Sequence, residues 1–149
     1  MSDDPATRPG WMSLLAKAPP ARLAALVGGL GALPAHDWLR RPETGGVMLR
    51  GRMGGTGNAF NLGEMTVTRC ALRLADGTVG HAYVQGRDKA HATQAALVDA
   101  LLQGPRADQV RLAVIDPLAI EALEHRTARA AKAAATKVEF FTMVRGENA

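Results

Sequence analysis

The sequence predicts an α+β protein: an antiparallel β-meander packed with helices, followed by a long Ala-rich C-terminal helix and a docking arm. Three observations carry that expectation. The apolar period is helical before residue 36, alternates from there to about Gln85, and then turns helical again. An Asp76-Gly77 pair separates two alternating runs, where glycine tolerates the positive φ of a tight hairpin. The last stretch is rich in alanine, the strongest helix former, and opens at Pro117.

Residues 1–9, with Asp3, Asp4, Pro5 and Pro9, read as a frayed terminus. Two short helices are predicted over 11–17 and 21–30, separated by Pro19-Pro20, with Leu23, Leu26, Val27 and Leu30 at helical spacing in the second. In the alternating region Val47, Leu49, Gly51 and Met53 point one way, and Met48, Arg50 and Arg52 the other. Over 65–74, Thr66, Thr68, Cys70, Leu72 and Leu74 share one face and Arg69 and Arg73 the opposite one. The return strand covers 78–85. Asp88 then offers a carboxylate as N-cap to a helix whose packing face is Ala92, Ala95, Ala96, Leu101 and Leu102, ended by Gly104-Pro105. A short strand is expected over 110–115, and a long helix from Pro117 to about Lys137. On that helix Glu121, His125, Arg129 and Lys132 share one face, and Ile120, Leu123, Ala130 and Ala134 form a second, narrow apolar one.

With 149 residues, 47% of them hydrophobic and 21% charged, the chain fits one domain, 1–149, whose residues 138–149 form a docking arm. Only 4% are aromatic, so the core must be built from Leu, Val, Met and much Ala. Small side chains bury little area each, which suggests that a partner chain completes part of the apolar surface. The net charge is +4, and 14 of the 18 cations are Arg. Arginine binds phosphate and carboxylate through a planar fork, so the excess points to anionic ligands or interfaces; GC-rich coding would produce the same bias. Cys70 stands alone, which excludes an internal disulfide or a thiolate metal cluster and makes the reducing cytoplasm the expected compartment. The run 23–35 behind Arg22 contains three glycines and starts too late for a signal peptide, and no stretch approaches the roughly 20 apolar residues of a membrane span.

Arg52-Met-Gly-Gly-Thr-Gly57 tests negative for the dinucleotide fingerprint, because Phe60 stands where glycine is required, and for the Walker pattern. It reads either as a tight turn between strands or as an anion or partner loop edged by Arg52. In Gln85-Gly-Arg-Asp-Lys-Ala-His91 a strand runs through glycine into a helix start, which sets Arg87, Lys89 and His91 beside N–H groups of positive partial charge. That segment is either an anion site or a capped helix with solvated charges, and the two readings are compatible. Histidines 36, 81, 91 and 125 lack metal-ligand spacing, Cys70 has no neighbouring base, and no catalytic residue or metal site is expected. With one Tyr and no stacking aromatic pair on the strands, no nucleic-acid partner is expected either.

Four segments carry a resemblance. They are Arg-Met-Gly-Gly-Thr-Gly at 52–57, Arg-Leu-Ala-Asp-Gly-Thr-Val-Gly at 73–80, Val-Gln-Gly-Arg-Asp-Lys-Ala-His-Ala at 84–92, and Val-Glu-Phe-Phe-Thr-Met-Val-Arg-Gly-Glu-Asn at 138–148. With Arg8-Pro-Gly-Trp-Met-Ser-Leu-Leu near the start, the sequence resembles the PhnG family, subunits of the bacterial carbon–phosphorus lyase system, over nearly its whole length; residues 104–125 carry no matching pattern. The resemblance implies a non-redox subunit of a core complex with PhnH, PhnI and PhnJ, two copies per complex, with PhnK and PhnL associated. Together with PhnH, PhnI and PhnL it would support displacement of adenine from MgATP by an alkylphosphonate, giving ribose 1-alkylphosphonate 5-triphosphate. It implies no cofactor held by this chain and transfers no catalytic residue. Phe140, Phe141, Met143 and Arg145 are the expected anchors of the docking arm, since buried aromatics and Arg dominate interfaces. The competing expectation is a stand-alone enzyme binding a phosphorylated small molecule through Arg52, Arg87 and Lys89.

Overall fold

The computed structural model describes residues 4–137. Thr7 caps the first helix, its hydroxyl accepting from the Gly10 N–H, and α1 runs Arg8–Lys17, earlier in its start than the apolar spacing indicates. Pro19-Pro20 breaks the chain, and Pro20, whose missing N–H costs nothing in a first turn, opens α2, Pro20–Gly28. Leu23 and Val27 of α2 are buried one helical turn apart. The guanidinium of Arg106 closes the end of this segment, donating to the Leu30 and Ala32 carbonyls at 2.9 and 3.0 Å.

Three antiparallel strands follow in the order β1-β2-β3: β1 His36–Arg52, β2 Ala59–Leu74 and β3 Val79–Gln85. The predicted meander is present, and β1 begins at His36, where the apolar period changes, although the alternation assigns residues to its two faces only from Val47. Its register slips between Trp38 and Arg40 and between Arg40 and Glu43, and these irregularities blur which residues of its first half share a face. The β2–β3 turn is the predicted Asp76-Gly77 hairpin. The Asp76 carboxylate accepts from the Thr78 N–H at 2.9 Å, and this bond holds its pKa below the usual carboxylate range. β3 alternates as a half-buried strand should, with Gly80, Ala82 and Val84 inward.

α3, Lys89–Leu101, lies across that inward face. Asp88 caps it, accepting from the His91 N–H at 2.8 Å, and Ala92, Ala95, Ala96 and Ala100 let its backbone approach the sheet closely. Gly80 makes the approach possible, for a Cβ there would sit 2.0 Å from the Ala96 carbonyl oxygen. The core gathers between this sheet face and the helices, with Leu15, Leu23, Leu72, Val84 and Val98 fully enclosed.

Residues 110–115 correct the expectation of a short strand. A four-residue helix α4, Ala107–Val110, passes through a π-helical turn, Arg111–Ile115, into α5, Asp116–Ala135. A strand would bury alternate residues, yet Val110, Val114, Ile115 and Leu118 are inward and Leu112 is 71% exposed. The β-branched run reads locally as strand, while its burial period is helical, and the wide turn brings both Val114 and Ile115 to the core. α5 is the expected long helix, but only Leu118 is buried along it. Its narrow apolar face is open, with Ile120 and Leu123 each 60% exposed.

Candidate functional site

Pairing alone shapes the largest feature. β3 pairs with β2 only between Val67 and Arg73, whereas β1 stays paired with β2 out to Arg52 and Ala59. Beyond Val67 the sheet narrows to a two-stranded ribbon with both edges open among the described residues, roughly 26 Å long at about 3.3 Å per residue. Residues 53–58 close its tip. Gly54 and Gly55 take φ of 61° and 81°, where a side chain would be strained, and Arg52 donates to the Gly57 carbonyl at 3.1 Å. The tip is therefore a glycine turn stapled by Arg52.

The ribbon has two unlike faces. Val47 lies opposite Met65 and Gly51 opposite Phe60, and a Cβ on Gly51 would meet the Phe60 ring at 3.8 Å and Leu62 at 3.9 Å. Val47, Leu49, Phe60, Leu62 and Met65 thus form one apolar stripe, with Leu62 65% and Phe60 41% exposed. Alternation along β2 places it on the face away from α3, continuous with outward Arg69 and Arg73. Arg69 pairs there with Glu43 at 2.8 Å, and the Arg40 and Arg69 guanidinium groups hold the Glu43 carboxyl below its ordinary range. The reverse face carries Met48, Arg50, Arg52 and Glu64.

Arg87 and Lys89 lie exposed at the β3–α3 junction. They cannot share a site with Arg52, because the Val67–Gln85 and Ala59–Arg52 pairs lie at opposite ends of the ribbon, eight β2 residues and roughly 26 Å apart. His91 faces inward, 5% exposed, its Nε2 donating to the Leu15 carbonyl at 2.7 Å, so the ring ties α3 to α1 on the side away from Arg87 and Lys89. Cys70 is buried, donates to the Ala92 carbonyl at 3.2 Å, and has its thiol pushed up to about 11 by burial, the reverse of an activated nucleophile. Phe140, Phe141, Met143 and Arg145 lie outside the described residues.

The most connected polar side chain among the described residues is one that no sequence motif marks. Asp99, 0% exposed on α3, accepts from Arg8 Nε at 3.1 Å and Nη2 at 2.8 Å, from Trp11 Nε1 at 2.9 Å and from the His81 N–H at 2.9 Å. One carboxylate joins α1, α3 and β3. The legible signal was its place one turn beyond Ala95 and two beyond Ala92, an acid on an otherwise apolar helix face. Among the described residues no group of three or more His, Cys, Asp or Glu side chains could hold a metal, and no helix is long and apolar enough to cross a membrane.

Comparison with known proteins places this scaffold in a defined class. The family model for phosphonate metabolism protein PhnG matches residues 6–146, and the chain belongs to that family. A relative from Rhizobium meliloti (strain 1021), the alpha-D-ribose 1-methylphosphonate 5-triphosphate synthase subunit PhnG, is 43% identical over 149 residues, covering 99% of this chain and 96% of the relative.

Proposed function

We propose that the chain is a non-redox subunit of the carbon–phosphorus lyase core complex and that the β1–β2 ribbon is its main docking element. In this reading it assembles in the cytoplasm with PhnH, PhnI and PhnJ, in two copies per complex, with PhnK and PhnL associated. Together with PhnH, PhnI and PhnL it supports a transfer in which the phosphonate oxygen bonds to the ribose carbon of MgATP and adenine leaves. The product is alpha-D-ribose 1-methylphosphonate 5-triphosphate. The chain contributes surface and positioning, while the reacting groups come from its partners.

The observation that carries the reading is the ribbon's lack of support. A two-stranded hairpin alone is marginal in water, and this one exposes Phe60, Leu62 and Leu49 on one face and two edges of unpaired backbone. A sibling subunit covering the stripe would supply the missing layer and bury aromatic and aliphatic anchors of the kind that dominate interfaces. The segment 138–149 is a second proposed anchor.

The test is co-expression with the other subunits. Phe60→Ser with Leu62→Ser should lower recovery of the chain in the purified complex at least tenfold while circular dichroism of the isolated chain stays unchanged, since neither residue is in the core. Full assembly of that variant would overturn the ribbon's role. Truncation after Lys137 tests the second anchor in the same way. Release of adenine by the isolated chain given ATP and methylphosphonate would overturn the subunit reading itself.

A further inference from the structure

Between α1 and α5 lies an open cleft of about 360 Å³, within the size range of small-molecule sites. Its charge is one-sided. Lys17 comes from the last turn of α1, and His125, Arg126 and Arg129 from α5. The one acid lining it, Glu121, is already engaged with Arg22 at 2.7 Å, which offsets its charge. Lys17, Arg126 and Arg129 form no ion pair among the described residues. Beneath them Leu14, Leu118 and Ala122 make an apolar floor, and Ser13 contributes a hydroxyl.

We propose that this cleft binds a small molecule bearing a polyphosphate group, with Lys17, Arg126 and Arg129 on the phosphate oxygens and the organic part against Leu14, Leu118 and Ala122. Charge and spacing both favour this class of ligand. Exposed ion pairs each contribute little, so a single phosphate would be held weakly, and useful affinity requires several charges engaged at once. The cations also stand on two facing helices, with Arg126 and Arg129 about 4.5 Å apart along the axis at 1.5 Å per residue, a spacing that suits a chain of phosphates better than one. Arginine's fork takes two phosphate oxygens at a time, and the apolar floor gives a polyphosphate ester an advantage over a bare anion.

The cleft is separate from the ribbon and from Arg52, Arg87 and Lys89, so it stands or falls independently of the docking proposal. Calorimetric titration of the full-length chain at low ionic strength tests it, with tripolyphosphate, ATP, inorganic phosphate and polyglutamate as probes. Tripolyphosphate is expected to bind at one site, ATP at least as tightly, and inorganic phosphate at least tenfold more weakly. Arg126→Gln with Arg129→Gln should weaken tripolyphosphate at least tenfold, whereas Arg52→Gln with Arg87→Gln should leave it within twofold. All four residues are exposed, and circular dichroism verifies each fold. Absence of tripolyphosphate binding, equal loss in both double variants, ATP binding far weaker than tripolyphosphate, or binding of polyglutamate alone would each overturn the assignment. None of those results would affect whether the chain enters the complex.

Discussion

The Asp99 carboxylate holds three elements through four hydrogen bonds, and its removal strands their donors unequally. The Arg8 side chain is 41% exposed and can rehydrate, but the Trp11 indole N–H is enclosed and would lose its acceptor. A buried unsatisfied donor costs about 1–3 kcal/mol, and a broken charge pair adds to it. Asp99→Ala should therefore cost roughly 3–5 kcal/mol, read as a lower urea midpoint with unchanged slope. Cys70 gives a pH signature. Burial raises its folded thiol pKa from 9.0 to about 11, so the folded state keeps the proton longer than the unfolded chain does. Its contribution to stability is then complete below pH 9.0 and is lost as pH rises through about 11. The stability gap between wild type and Cys70→Ala should shrink over that window in denaturation curves, and native Cys70 should resist thiol reagents near neutral pH.

At the scale of elements, the ribbon is separable from the body. Gly46 and Thr66 are direct partners across β1 and β2, so residues 47–65 can be replaced by a two-residue Asn-Gly turn without disturbing the Thr66 carbonyl that accepts from Gly86. None of the core residues lies in the excised stretch. The shortened chain should melt within about 5 °C of wild type, a shift corresponding to about 1 kcal/mol or less, yet fail to enter the complex. Which elements were legible follows from how local their signals are. The Asp76-Gly77 hairpin, the Asp88 cap and the alternation of β3 are written within a few residues of one another. The start of β1 at His36 is legible too, but its bulges and Pro42 scramble the faces of its first half, and the turn at Arg111–Ile115 mimics a strand until Leu112 is seen to face solvent. Asp99 joins Arg8 across 91 positions and Trp11 across 88, distances at which no sequence window connects them.

The whole molecule also accounts for part of its arginine. Arg8 binds Asp99, Arg106 closes the end of the α2 segment, and Arg111 lies 5.6 Å over the Trp11 ring while donating to the Pro5 carbonyl. These three serve the fold. Those at Arg50, Arg126 and Arg129 form no ion pair among the described residues and are left for ligands or neighbours. The open ribbon also makes the chain sensitive to its own dosage. A 17-residue edge strand with an apolar stripe beside it offers any other chain a template, another ribbon included. In the proposed docking role, a copy made in excess of its partners would meet other copies first, and mass action would turn the exposed stripe into a route to aggregation or proteolysis. Open edges would thus favour synthesis of this subunit in balance with the chains proposed to cover it.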